Sequence, residues 1–82
     1  MGEYEKAIDY YLQALSIAQA AYGEEYPQVA ATLNNIGSAY FEWGKKEQAK
    51  DYLKKAYEMD NKFFGPEHPF TKNTRKWLKS CE

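Results

Sequence analysis

The sequence predicts an all-α fold, four helices arranged as antiparallel helix pairs, and three observations carry that prediction. Setting residues 2–40 against residues 44–82, an offset of 42, matches Gly2 with Gly44, Ala7 with Ala49, Tyr10 with Tyr52, Ala14 with Ala56, Gly23 with Gly65, Pro27 with Pro69 and Thr32 with Thr74. Self-similarity at such a period marks a repeated supersecondary unit. Within each half, apolar residues recur at the 3.6-residue period of a helix and stop at Gly and Pro. No segment alternates apolar and polar residues long enough to make a strand.

The first helix is expected over residues 3–21, where Tyr4, Ala7, Tyr11, Ala14 and Ala18, flanked by Ile8, Leu12 and Leu15, lie on one face. Gly23 suits a left-handed C-terminal cap, and Pro27 suits the first turn of the second helix, where its missing N–H is no loss. That second helix is expected over 27–43, with Leu33, Ile36, Gly37 and Tyr40 on one face, and Gly37 leaves room for a neighbouring helix to come close. Gly44 breaks it. The third helix, 46–63, carries Ala49, Tyr52, Leu53, Ala56 and Met59 on its stripe. Gly65, Pro66 and Pro69 then repeat the earlier stop and start, and the fourth helix covers 69–80.

Eighty-two residues suit one small domain, and 44% hydrophobic with 28% charged residues is a globular composition. The uncharged run Tyr10 to Tyr22 is rich in Gln, Ser and Ala rather than uniformly apolar, so neither a membrane span nor a secretory signal is expected. The net charge of −1 hides an asymmetry. Residues 1–43 hold one base, Lys6, against six acids, a net of −5, and residues 44–82 hold ten bases against six acids, a net of +4. One cysteine, Cys81, cannot close an internal disulfide, which points to an intracellular, cytoplasmic setting.

Chemistry finds no constellation here. His68 and Cys81 are the only residues of their types, so a zinc site has no second nitrogen or sulfur ligand at a useful spacing, and no cofactor is implied. The segment from Gly37 to Lys45 has neither the spacing nor the hydroxyl of a phosphate loop. Glu24 and Glu25 read as solvated junction residues, and a pI near 5.8 argues against nucleic acid as a partner of the basic fourth helix. An enzyme is not expected.

The run Leu33, Ile36, Gly37, Tyr40, Gly44, Ala49, Leu53, Ala56 resembles the helix-turn-helix pattern of the tetratricopeptide repeat (TPR). The 42-residue period and the two junctions, Gly23-Glu24-Glu25-Tyr26-Pro27 and Gly65-Pro66-Glu67-His68-Pro69, are more specifically similar to the repeats of kinesin light chains. The resemblance implies a short right-handed TPR solenoid forming one domain over 1–82. Residues 1–22 would be the second helix of a partial repeat, 26–64 a complete repeat, and 69–82 a C-terminal capping helix whose outward positions Arg75, Lys79 and Glu82 are polar.

It also implies a protein-interaction module or scaffold. In such repeats the first helix of each pair lines a concave groove, which places Ala31, Asn34, Ser38 and Phe41, then Asn73, Lys76 and Ser80, on a peptide-binding surface. Asn34 would donate to and accept from an extended peptide backbone. Lys72, Lys76 and Lys79 would suit an acidic peptide or a C-terminal carboxylate. The alternative is an architectural module that self-associates and takes no peptide. Ile8 and Leu12 stand where the third helix has Lys50 and Lys54, so the first helix reads as an uncovered apolar face, and a homodimer through Tyr4, Ile8, Tyr11 and Leu12 is expected. Phe70, Thr74, Trp77, Leu78 and Cys81 are expected to form the stripe by which the fourth helix packs back on the third.

Overall fold

A computed structural model describes residues 2–23 and 26–81; Glu24, Glu25 and Glu82, singled out above, lie outside the described residues. Four helices make up the fold: α1 (Gly2–Tyr22), α2 (Pro27–Glu42), α3 (Lys46–Phe64) and α4 (Pro69–Ser80), with no strand among the described residues. Each packs mainly on its neighbours in the chain, α2 against both α1 and α3, and α4 against α3. The expected boundaries hold to within one residue.

The turns explain why. Gly44, at φ 87°, follows the C-cap Trp43; its N–H reaches the Phe41 carbonyl at 3.0 Å, and the Lys45 N–H reaches that of Tyr40 at 2.8 Å. This paired bonding requires a left-handed residue, which glycine supplies without strain. It turns α3 back along α2. At Gly37 the two helices come close enough that a Cβ would sit 2.5 Å from Leu53 Cγ, so Leu53 occupies the place a side chain would take. Tyr40 stacks on Tyr52 at 5.6 Å across the same interface.

Two apolar clusters form the core. Ala18, Val29, Leu33 and Ala56 make one, joining α1, α2 and α3. Ile8, Ile36 and Ala39 make the other, with Tyr11, Tyr40 and Trp43 packed around them. Ile36 and Leu53 are wholly buried, and burial of such a side chain contributes roughly 1.5 to 3 kcal/mol.

Two expectations are corrected. Ile8 is not left in water: it is 4% exposed, packed on Ile36 and Ala39 of α2. Its counterpart Lys50 is exposed instead, on the side of α3 facing Cys81, the counterpart of Ala39. On α4 the buried residues are Thr71 and Thr74, with Trp77, Leu78 and Cys81 half-buried, whereas Phe70 is 60% exposed. Thr71 thus takes the place expected of Phe70 while Thr74, Trp77, Leu78 and Cys81 keep theirs, and the hydrogen bonds of Thr71 and Thr74 seat the first turns of the helix.

Candidate functional site

Those hydrogen bonds build the most developed polar feature of the molecule. Asp60, near the end of α3, continues the buried stripe of Leu53 and Ala56 by one further turn and is 4% exposed. Its Oδ2 accepts from the Thr74 hydroxyl at 2.7 Å, and Thr74 Oγ1 in turn accepts from the Asn34 side-chain amide at 2.7 Å. The Phe70 carbonyl lies 3.0 Å from the same hydroxyl. A hydroxyl has one proton, and the shorter, carboxylate acceptor is the stronger claimant for it. One line of bonds thus ties α2 to α4 to α3 and holds the Asn34 amide in a defined orientation. Burial raises the Asp60 carboxyl above its ordinary range, while the Thr74 hydrogen bond and His68 pull it back down. Beside it, the Thr71 hydroxyl donates to the Gly65 carbonyl at 2.7 Å.

A cavity of about 340 Å³ opens between the facing sides of α2 and α4, with Asp60 in its wall. Pro27, Ala31, Phe64 and Phe70 give it apolar sides, and the amides of Asn34 and Asn73 give it polar ones. Phe64 and Phe70 meet edge to face at 5.4 Å, and the His68 ring stacks on Phe64 at 4.6 Å. His68 is the N-cap of α4, as its place before Pro69 suggests; its Nδ1 accepts from the Phe70 N–H at 3.1 Å, which puts the neutral ring's proton on Nε2.

A shallower groove of about 530 Å³ runs along α4, bordered by Lys72, Asn73, Lys76, Trp77 and Ser80. Lys72 is 3.5 Å from Glu67, an exposed pair that contributes little. The Ser80 hydroxyl is turned to its own helix, donating to the Lys76 carbonyl at 3.2 Å.

The residues expected to line one peptide groove are therefore divided. Asn34 and Asn73 share the cavity beside Asp60, and Asn73, Lys76 and Ser80 share the groove along α4. Ser38 is on another side of α2, lining a third hollow with Tyr4 and Tyr11 of α1, and its hydroxyl donates to the Asn35 carbonyl at 3.0 Å. Phe41 packs edge-on against Trp77 at 5.5 Å. The four residues expected to self-associate differ in burial. Tyr4 and Tyr11 border that third hollow, Ile8 is interior, and Leu12 is 36% exposed.

Asp60, Phe64 and Thr74 were not among the expected site residues. The sequence held a sign of Asp60, since it falls at the position after Leu53 and Ala56 in the i, i+3, i+7 series of a buried stripe. Among the described residues no group of three His, Cys, Asp or Glu is placed to hold a metal, and no helix is long and apolar enough to cross a membrane. Burial pushes the Cys81 thiol up despite the nearby Lys46 and Lys50, so it stays protonated at neutral pH.

Comparison with protein families adds one finding: a family model described as tetratricopeptide repeat matches residues 1–62, which take in α1, α2 and nearly all of α3. No curated protein matches the chain.

Proposed function

Because the chain belongs to the tetratricopeptide repeat family, whose domains generally mediate protein–protein interaction and are typically non-catalytic, we propose that it binds an extended peptide segment of a partner protein along the facing sides of α2 and α4. The observation that carries this reading is the Asn34 amide, held by Thr74 on the rim of a cavity that Asn73 also borders. One Asn34 N–H is committed to Thr74, which leaves its second N–H and its carbonyl oxygen for a peptide backbone. Past Asn73, Lys72 and Lys76 favour acidic side chains of the same peptide. The 42-residue spacing and the paired junctions support the kinesin light chain-like subtype, and the lone thiol fits a cytoplasmic setting. The fourth helix, with Arg75 and Lys79 exposed, serves as the polar cap of the repeat.

Stable interfaces bury about 1,200 to 2,000 Å². Two short facing helices offer less, so isolated binding is weak. The test is a fluorescence titration with an acetylated heptapeptide of glutamate. Asn34→Ala weakens it about fivefold, and Lys76→Glu weakens it by a factor that shrinks with added salt, because exposed charges are screened beyond about 8 Å. Unchanged affinity in both variants rejects the peptide reading.

A second reading, an architectural module that pairs two copies through α1, is favoured by the exposure of Tyr10 (73%) and Ile17 (70%), two turns apart on that helix. It predicts a dimer in sedimentation that Ile17→Lys reduces to a monomer; a monomer before the substitution rejects it.

A further inference from the structure

We propose that the cavity beside Asp60 receives the guanidinium of an arginine side chain from the bound peptide, an assignment that rests on the peptide-binding reading above. The argument begins with the carboxylate. Asp60 is 4% exposed, and the hydrogen bond it accepts from a described residue, that of Thr74, falls on Oδ2. Among the described residues no fully buried side-chain oxygen or nitrogen lacks a partner. Asp60 itself lines the cavity, so a group that enters it meets this carboxylate. A carboxylate taken this far out of water gains most from a cation that can pair and hydrogen-bond with it directly.

Helix ends work in both directions here. The first turns of α2 and α4, at Pro27 and Phe70, also border the cavity, and a helix N-terminus carries a partial positive charge of about half a unit. Asp60 carries a full negative charge and sits near the negative end of α3. The balance favours a cation at the carboxylate.

The walls choose among cations. Phe64 and Phe70 present aromatic surface, and the carbonyl oxygens of Asn34 and Asn73 add acceptors near the carboxylate. A guanidinium is planar, weakly hydrated and carries five donors, so it can lie on a ring while its edge bonds to several acceptors. An ammonium is a compact, strongly hydrated charge and loses more in an apolar enclosure. The volume, about 340 Å³, is at the lower end of ligand pockets and suits one long side chain rather than a folded surface. Asn73 borders both the cavity and the groove of Lys72 and Lys76, so a peptide anchored by arginine would present its neighbouring residues to those lysines. An arginine followed by acidic residues is the sequence class this surface fits.

The test titrates the whole chain with N-acetyl-arginine amide, following the side-chain amide signals of Asn34 and Asn73 by NMR. N-acetyl-citrulline amide, a neutral molecule of nearly the same shape, is the control. Arginine amide is expected to shift both signals to saturation, and citrulline amide to bind about tenfold more weakly. Asp60→Asn keeps an acceptor for Thr74 and is expected to lower arginine affinity about tenfold. Phe70→Ala removes an exposed ring, leaves the fold intact and is expected to lower it about threefold. Equal affinities for arginine and citrulline amides overturn the proposal, as does an unchanged affinity in Phe70→Ala together with Asp60→Asn. The glutamate heptapeptide is titrated in parallel. Asn34 and Asn73 signals unmoved by arginine amide, with the Asn73 signal still shifted by the heptapeptide, overturn the arginine site and leave the peptide reading standing; no response to either ligand overturns both.

Discussion

The two helix junctions related by the 42-residue offset share a positive-φ glycine and a proline at the next helix start, and carry opposite chemistry. Where α1 meets α2, Ala18 and Val29 are buried in an apolar cluster with Leu33. Their counterparts where α3 meets α4 are Asp60 and Thr71, equally buried but hydrogen-bonded. One feature is common to both: Tyr22 stacks on Tyr26 at 4.5 Å, and their counterparts Phe64 and His68 stack at 4.6 Å. One residue identical in the two halves, Thr32 and Thr74, behaves differently. Thr32 bonds the Gln28 carbonyl of its own helix at 3.0 Å, while Thr74 reaches across to Asp60 and takes the bond from Asn34. The lesson is that a repeat can keep its helix geometry while exchanging non-directional packing for directional bonds. The directional version is the one that orients the Asn34 amide.

The largest effect is expected from breaking the apolar junction. Leu33 is 4% exposed, and Leu33→Ala should cost about 2 to 5 kcal/mol in urea unfolding, because the emptied space lies between three helices. Total stabilities of small domains are about 5 to 15 kcal/mol, so this variant loses a large share of its cooperativity range. A loss below about 1 kcal/mol would show that the first junction does not depend on this packing.

Thr74→Val and Thr32→Val sharpen the comparison, since the same atoms are changed at equivalent places. The first leaves the Asn34 donor and the Asp60 acceptor without their partner and should cost about 2 kcal/mol. The second releases one local bond at the surface and should fall within about 0.5 kcal/mol of the parent. Equal costs would mean that the polar network adds nothing to the seating of α4.

The smallest effect is a pH dependence found at one junction only. The carboxyl of Asp60 is raised in the folded chain above its ordinary 3.8, so the folded state holds this proton more tightly than the unfolded state does. Its contribution to stability is fully present below 3.8 and is lost as pH rises through the higher folded value, beyond which it is flat. The stability of Asp60→Asn relative to the parent should therefore rise with pH across that window. Ala18, at the equivalent place, has nothing to titrate. A difference that stays constant with pH would remove the charge of Asp60 from the account.

Helix number, boundaries and antiparallel pairing were legible in the amino-acid sequence because their causes are local. Gly44 and Gly65 take left-handed turns that few other residues accept, Pro27 and Pro69 start helices, and the 3.6-residue stripe of α3 marks its inner face. Gly37 announced a close helix contact for the same reason: a missing side chain is visible in one letter. The positions of Ile8 and Phe70 and the burial of Asp60 were decided only in three dimensions. Whether Ile8 is covered depends on Ile36 and Ala39 lying across from it, and whether Asp60 can be buried depends on a hydroxyl that arrives from another helix. α4 has too few apolar residues to set its own rotation, so Thr71 and Thr74 set it by bonding to Gly65 and Asp60. Caps and periodicity act within a turn or two of chain, whereas the energy of a buried polar group is a sum over partners from several helices, and that sum exists only once the helices have met.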